Sequence, residues 1–228
     1  MFRTVEGDAM AHAPAPRAVL TDFGGVLTTS VIDAFRAFSQ EISGDPGFAT
    51  GLFRDDDEAA RLLVEHECGR MAEREFEAGI VARMRHHGVD PGAQGFVRGL
   101  QSRLRPDTAM LDAMRGLRAR GVPVAIVSNS LGDDCYRGYD LAELADVVVA
   151  SGEVGVRKPA RRMYTIACER LGVAPEDTVM IDDLQQNLDG AARLGIRGLL
   201  HSDGAETVRV LDGWFSPAQS RGLRQVTL

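Results

Sequence analysis

The chain lacks the features that mark several large classes of protein. No apolar segment reaches the ~20 residues of a transmembrane helix, and residues 1–16 have no apolar core like that of a signal peptide. The three cysteines are scattered, odd in number and without metal-binding spacing, so we expect reduced thiols. There is no long run of Lys or Arg, and the net charge is −7. We therefore expect a cytoplasmic protein with neither nucleic acid nor membrane as partner.

What the chain contains is an alternation of short β-rich runs and helical patterns. The hydrophobic fraction of 44% is sufficient for a packed core. A run that begins at Arg17 predicts the first strand, and four later runs predict further strands at 122–127, 146–150, 178–181 and 196–200. Helical patterns separate the later runs. This order predicts an α/β fold, a Rossmann-like parallel sheet with helices on both faces.

One long segment departs from the alternation. Residues 31–104 show helical patterns with charged faces and no buried-strand pattern. We therefore expect a small all-α cap at 31–104, inserted after the first strand of a catalytic core made of 17–30 and 105–212. Residues 1–16 are expected to form a flexible leader and residues 213–228 a C-terminal tail.

Two adjacent carboxylates, Asp182 and Asp183, end the run that begins at Thr178. At ~5 Å and an effective dielectric constant of ~20, two such charges repel each other by roughly 3 kcal/mol. Either a bound proton or a cation relieves this repulsion. Asp22 ends another apolar run and precedes two glycines. If the two strands are neighbours, three carboxylates converge, and a hard divalent cation suits such a group.

Two further polar segments follow predicted strands or precede predicted helices. Ser128 and Asn129 follow a third strand, and Lys158 precedes Pro159 at the start of a helix. Together with Asp22 and the paired acids, they would supply a nucleophile, hydroxyl and amide donors, a cation and a metal site. Attack of a carboxylate on phosphorus needs this set, because positive charge must screen the repulsion between two anions.

Each of these residues also has an ordinary structural explanation. Asp22 could cap a turn, Lys158 could be a solvated lysine, and Asp182 with Asp183 could cap a helix. Ser128 belongs to a common type of loop sequence. The functional interpretation is favoured because four separate features fall where parallel strands deliver ligand-binding residues.

In order and spacing, these four motifs resemble those of the haloacid dehalogenase-like hydrolase superfamily, most of whose members are phosphatases. The run Asp-Asp-x-x-x-Asn-x-x-Gly-Ala at 182–191 is similar to that of the subfamily with a helical cap. The resemblance implies that Asp22 is the nucleophile, Ser128 the hydroxyl of the second motif and Lys158 the cation of the third. Asp182 and Asp183 would be the metal-binding acids.

The resemblance implies Mg²⁺-dependent hydrolysis of a small phosphate monoester, such as a sugar phosphate, through an aspartyl-phosphate intermediate. Ser128, Asn129 and Lys158 would bind the transferred group. Four residues would serve the metal ion: Asp22, Gly24 through its carbonyl, Asp182 and Asp183. The partner is then a small phosphorylated metabolite, and the sequence leaves open whether the protein is a monomer or a homodimer.

One position departs from the pattern of the superfamily. Phosphatases of this type carry Asp-x-Asp, and the second acid transfers protons during the reaction, whereas this chain has Gly24. Loss of general acid–base catalysis typically costs ~10²–10⁴-fold in rate. Two alternatives therefore stay open: a 2-haloacid dehalogenase-type hydrolase that uses Asp22 on carbon, and a non-catalytic protein that binds phosphate or metal.

Overall fold

The structure is a computed structural model, which describes residues 15–216. Its centre is a five-stranded, fully parallel sheet in the order β3-β2-β1-β4-β5. The strands are β1 (Ala18–Thr21), β2 (Val124–Ser128), β3 (Val147–Ala150), β4 (Thr178–Asp182) and β5 (Arg197–Leu200). The sheet confirms the predicted α/β class, and it places β1 between the two strands that carry the other polar motifs.

Eleven helices surround or extend this sheet within residues 15–216. They are α1 (Val31–Ser43), α2 (Phe48–Asp55), α3 (Asp57–Glu67), α4 (Glu73–His86), α5 (Phe96–Gln101), α6 (Thr108–Ala119), α7 (Leu141–Leu144), α8 (Ser151–Val154), α9 (Arg161–Leu171), α10 (Gln185–Ala192) and α11 (Gly204–Phe215). A 3₁₀ turn, Pro175–Asp177, precedes β4. None of the helices in this range is both long and apolar enough to cross a membrane.

The sheet is buried on both faces because side chains alternate along each strand. Val19 of β1 belongs to an apolar cluster that α6 and α11 complete. Leu20, the next residue, belongs to a second cluster on the opposite face, completed by α9 and α10. Near-continuous apolar strands are therefore required, and this explains the runs seen in the sequence.

Helices α1 to α5 occupy the predicted cap segment and enclose an apolar cluster of their own. Phe96 lies at its centre and meets Phe38 and Phe76 at ring-centroid distances of 5.6 and 6.1 Å. Helix α1 starts where the Ser30 side chain accepts a hydrogen bond from the Asp33 amide, as expected for an N-cap. The segment begins and ends beside the core, where Thr28 and Pro106 form an isolated antiparallel bridge.

The structure differs from the sequence prediction at several element boundaries. β2 begins at Val124 rather than at residue 122, and proline at 123 has no N–H to donate to a ladder. Helix α11 was not predicted and continues to Phe215, past the expected end of the core at 212. Residues 1–14 of the predicted leader and 217–228 of the predicted tail lie outside the described residues.

Candidate active site

The polar motifs meet at the carboxyl edge of the sheet. Asp22 directly follows β1, Ser128 is the last residue of β2, and Asp182 is the last residue of β4. Because β1 pairs with both β2 and β4, these three strand ends are adjacent. The topology thus brings together residues that are more than a hundred positions apart in the chain, in the place where open α/β sheets bind ligands.

Lys158 forms ion pairs with two of the acids of the site. Its side chain is 1% exposed, and Nζ lies 2.7 Å from Oδ2 of Asp22 and 2.7 Å from Oδ2 of Asp182. Burial opposes the charge of the ammonium group, but the two carboxylates outweigh burial and raise the Lys158 pKa above its ordinary value. Lys158 is therefore a fixed, buried cation beside the Asp22 carboxylate.

The Asp182 carboxylate is fully engaged by its surroundings. Besides Lys158, it accepts hydrogen bonds at Oδ1 from the Leu184 amide and from Nδ2 of Asn187, both at 2.9 Å. The Tyr164 hydroxyl in turn donates to the Asn187 carbonyl at 2.7 Å. The structure therefore shows that the Asn187 amide holds Asp182 in place.

The three predicted acids form one cluster. Asp22, Asp182 and Asp183 each offer a carboxylate oxygen, and these oxygens lie within 4.8 Å of one another. Burial raises the pKa of Asp22 to about 7 and that of Asp183 to about 6. Lys158 can balance only one of three negative charges, so the donor set suits a divalent cation that prefers oxygen ligands.

Gly25 makes room for the Asp183 carboxylate. Its φ of 82° lies in the left-handed region, and a Cβ on this residue would lie 2.2 Å from Oδ2 of Asp183. A side chain at position 25 would therefore be strained and would also displace Asp183. The second glycine after Asp22 is thus explained by the close approach of an acid, which supports the fit of a cation here.

Asn129 is bound to the backbone of the Lys158 segment. Its Oδ1 accepts from the Lys158 amide at 2.8 Å, and its Nδ2 donates to the Lys158 carbonyl at 3.3 Å. Ser128 is buried, and its hydroxyl donates to the Asn129 carbonyl at 3.5 Å, the outer limit of a hydrogen bond. The side chain of Asn129 therefore positions Lys158, and the weakly held Ser128 hydroxyl can turn towards another acceptor.

Gly24 lies beside the first residue of the cap segment. Its φ is outside the left-handed region, so the backbone conformation would accept any residue. Space is the constraint, because a Cβ at this position would lie 2.9 Å from Cγ2 of Val31. A second acid at position 24 would therefore lack room for its side chain, because Val31 occupies the adjoining space.

A cavity of about 220 Å³ opens between these motifs and the cap. Of the predicted site residues, Asp22, Gly24, Ser128, Asn129, Lys158 and Asp183 all line it, whereas Asp182 is fully buried behind Lys158. The rest of the lining is mainly apolar, and includes Val31, Phe35, Leu63, Leu100, Leu104 and Leu131. Polar motifs thus form one part of the cavity and apolar side chains most of the remainder.

Two charged residues that the sequence did not single out for function also line this cavity. They are Glu67, the last residue of α3, and Arg157, next to Lys158. Arg157 Nε lies 2.9 Å from Oε2 of Glu67. No sequence pattern distinguishes Glu67 from the other acids of the cap, and its importance appears only when the cap lies against the core.

Comparison with known proteins identifies the family. Residues 16–195 match the family model described as haloacid dehalogenase-like hydrolase. Phosphatase MT3486 of Mycobacterium tuberculosis is 28% identical over 203 residues, which cover 83% of this chain and 89% of the relative. Sesquiterpene phosphatase astK of Aspergillus oryzae is 29% identical over 107 residues, 46% of this chain and 55% of the relative.

Solved structures show the same fold. A haloacid dehalogenase-family enzyme from Bacteroides thetaiotaomicron, crystallised as a magnesium complex, superposes with a TM-score of 0.61 at 22% identity over 86% of this chain and 98% of that chain. A dehalogenase is also among the matching structures, so likeness of fold does not decide between the two chemistries. This chain spans less than two thirds of the length of several curated relatives, including the 55% of the sesquiterpene phosphatase.

The parallel sheet, the acid cluster at its carboxyl edge and the family match together define an enzyme of the hydrolase class. The chain belongs to the haloacid dehalogenase-like hydrolase family, in which relatives named phosphatases are found.

Proposed function

We propose that the protein is a Mg²⁺-dependent phosphatase that hydrolyses a phosphate monoester through an aspartyl-phosphate on Asp22. The observation that carries this proposal is the arrangement of Asp22, Lys158 and the acid cluster at one end of the cavity between core and cap. A buried cation 2.7 Å from a carboxylate oxygen lowers the repulsion that an incoming phosphate meets.

In the first step, an oxygen of Asp22 attacks phosphorus and the bond to the alcohol oxygen breaks. The Phe23 amide donates to Oδ1 of Asp22 at 2.7 Å and fixes the direction of the carboxylate. Lys158 stabilises the transferred group, and the Ser128 hydroxyl binds one of its oxygens. Asn129 holds the Lys158 backbone through both atoms of its side-chain amide, and its contact with the transferred group stays a prediction.

Asp22, Asp183 and the Gly24 carbonyl would hold the magnesium ion, with Asp182 adjoining it directly or through water. When bound, the ion supplies positive charge that neutralises the phosphoryl oxygens. The excess of carboxylates over cations in the described site supports this assignment.

The cavity also favours a particular kind of substrate. Its lining beyond the motifs is mainly apolar, and a sugar would leave several hydroxyl groups there without partners. We therefore favour a phosphate ester whose alcohol is largely apolar over the sugar phosphate that the sequence suggested. The name of the sesquiterpene phosphatase from Aspergillus oryzae supports this preference.

The other two functions receive less support. Attack of Asp22 on carbon, as in a dehalogenase, needs no cation, and the clustered acids count against it. A purely binding role would rest on the lack of an acid at Gly24, but it does not explain the buried pair of Asp22 and Lys158.

The test is release of phosphate from a panel that includes hexyl phosphate, p-nitrophenyl phosphate and glucose 6-phosphate, with and without Mg²⁺. We expect turnover that requires the metal, disappears in Asp22→Asn and is faster with hexyl phosphate than with glucose 6-phosphate. Equal background rates for wild type and Asp22→Asn on every substrate would overturn the proposed function. A preference for glucose 6-phosphate would overturn only the choice of substrate class.

A further inference from the structure

The proposed reaction lacks a proton donor at the position where sequence motifs place one. An alkoxide leaving group is a strong base and needs a proton as its bond to phosphorus breaks. Gly24 cannot supply it. A donor must instead be found among the other residues that line the cavity beside Asp22.

Few of the described lining residues can exchange a proton near neutral pH. Asp22, Asp183 and Lys158 already have roles in the site, and Arg157 is engaged in the ion pair with Glu67. Burial raises the pKa values of Cys135 and Tyr136 above their ordinary values, which are already high. Glu67 remains, since its carboxyl group lines the same cavity.

The Glu67 carboxyl group lies in an unusual environment for an acid. It is buried, and its Oε2 forms an ion pair with Nε of Arg157 at 2.9 Å, although within residues 15–216 this oxygen accepts no hydrogen bond. Burial raises the pKa of Glu67 to about 7, while the charges of Arg157 and Lys158 act in the opposite direction. Both protonation states are therefore accessible at neutral pH, as a group that gives and takes protons requires.

Contacts between cap and core hold Glu67 in position. The Ser151 hydroxyl donates to the Glu67 carbonyl. The neighbouring His66 accepts at Nε2 from the Gly132 amide at 3.0 Å. Arg70 donates to the Gly155 carbonyl at 3.2 Å and is paired with Glu65 on the outer side of the same segment. Glu67 is thus fixed by the core even though it belongs to a cap helix.

We propose that Glu67 is the proton donor and acceptor of this enzyme, in the role that Gly24 cannot fill; this inference rests on the proposed phosphatase function. In the first step, the carboxylic acid of Glu67 gives its proton to the alcohol oxygen as the oxygen–phosphorus bond breaks. This leaves the free alcohol, an aspartyl-phosphate and a Glu67 carboxylate.

In the second step, water attacks phosphorus and the bond between phosphorus and the Asp22 oxygen breaks. The Glu67 carboxylate accepts a proton from the attacking water. Inorganic phosphate is released, Asp22 returns to its carboxylate form and Glu67 to its acid form. All atoms and protons balance with water as the second reactant.

The test compares leaving groups in Glu67→Gln. p-Nitrophenolate is a weak base that leaves without a proton, whereas hexanolate is a strong base. We expect kcat/KM for hexyl phosphate to fall by about 10²–10⁴-fold and kcat/KM for p-nitrophenyl phosphate to change little. Because the second step also loses its base, p-nitrophenol should appear as a rapid burst followed by slow turnover.

Glu58→Gln is the matched control, since Glu58 lies on the same helix but outside the cavity, in an exposed ion pair with Arg61. Glu67→Asp keeps the acid and should recover part of the hexyl phosphate activity, which guards against a variant that is merely misfolded. Equal losses on both substrates without a burst, or undiminished kcat/KM for hexyl phosphate, would overturn the role of Glu67. Failure of the proposed function is separate, because it would appear as wild-type turnover that does not depend on Asp22.

Discussion

The contact between Gly24 and Val31 predicts how the usual acid could be restored. A Cβ at position 24 would lie 2.9 Å from Cγ2 of Val31, closer than carbon atoms approach without strain. Gly24→Asp alone should therefore overpack the site and lower the free energy of unfolding by about 1–3 kcal/mol. Val31→Ala removes the contacting methyl group at a cost of about 1–2 kcal/mol of lost burial, since Val31 is only partly buried.

The two changes should therefore be non-additive. Once Val31→Ala is present, adding Gly24→Asp should cost little further stability, because the atom it would meet has been removed. Urea unfolding of the two single variants and the double variant measures this coupling directly. A full additive loss in the double variant would show that the space beside Gly24 is not limited by Val31.

The same pair of changes provides a functional readout. In the Glu67→Gln background, Gly24→Asp with Val31→Ala should raise kcat/KM for hexyl phosphate by at least about tenfold, a part of the ~10²–10⁴ that a general acid is worth. The control is Val31→Ala with Glu67→Gln, which enlarges the cavity without adding an acid. No gain over this control would refute the reasoning that Gly24 marks the place of the missing proton donor.

Other consequences of the site can be measured separately. Lys158→Met leaves the carboxylates of Asp22 and Asp182 buried without their cation, so it should abolish turnover and cost about 3–5 kcal/mol in urea unfolding without metal. Gly25→Ala would place a side chain at a φ of 82° and displace the Asp183 carboxylate. Because Asp183 is a proposed metal ligand, isothermal titration should show at least about tenfold weaker Mg²⁺ binding. The folded-state pKa of Glu67, about 7, exceeds its ordinary value of 4.5, so the folded protein holds an extra proton between these pH values. Glu67 should therefore contribute a fall in the free energy of unfolding of up to about 3 kcal/mol as pH rises through this window, at about 1.36 kcal/mol per unit. Asp22 and Asp183, whose pKa values are raised to about 7 and about 6, act in the same direction, so the pH dependence of Glu67→Gln should be shallower than that of the wild type rather than absent.

The sequence allowed much of the fold to be predicted because a buried parallel sheet demands apolar strands. The position of Asp22 and of Asp182 at strand ends follows from that pattern, since a strand ends where its apolar run meets carboxylates. The adjacency of these residues required one further assumption, that their strands are neighbours. The sheet order confirms it.

Other features could not be predicted because they depend on contacts between distant segments. The approach of Val31 to Gly24 and the position of Glu67 beside Arg157 both arise where the cap meets the core. Helix α11, by contrast, was predictable but was missed: Asp203 is an N-cap residue, and Val208, Leu211 and Phe215 follow at helical spacing. The hydrogen bond from Asn187 to Asp182 likewise depends on where α10 starts relative to the end of β4. Hydrophobic periodicity does not determine that position.

The attachment of helix α3 to the core has a consequence for how such an enzyme can change in evolution. The last turn of α3 carries Glu67, and it is bound to the core through Ser151 at the start of α8 and through Gly132. If a cap only chose the substrate, it could be exchanged for another cap without harm to the chemistry. In this protein, a chimera with a foreign cap would exchange the recognition surface and lose the proton donor together. The two halves would then have to evolve as a matched pair, and new specificity should arise through side-chain changes within the existing cap rather than through its replacement.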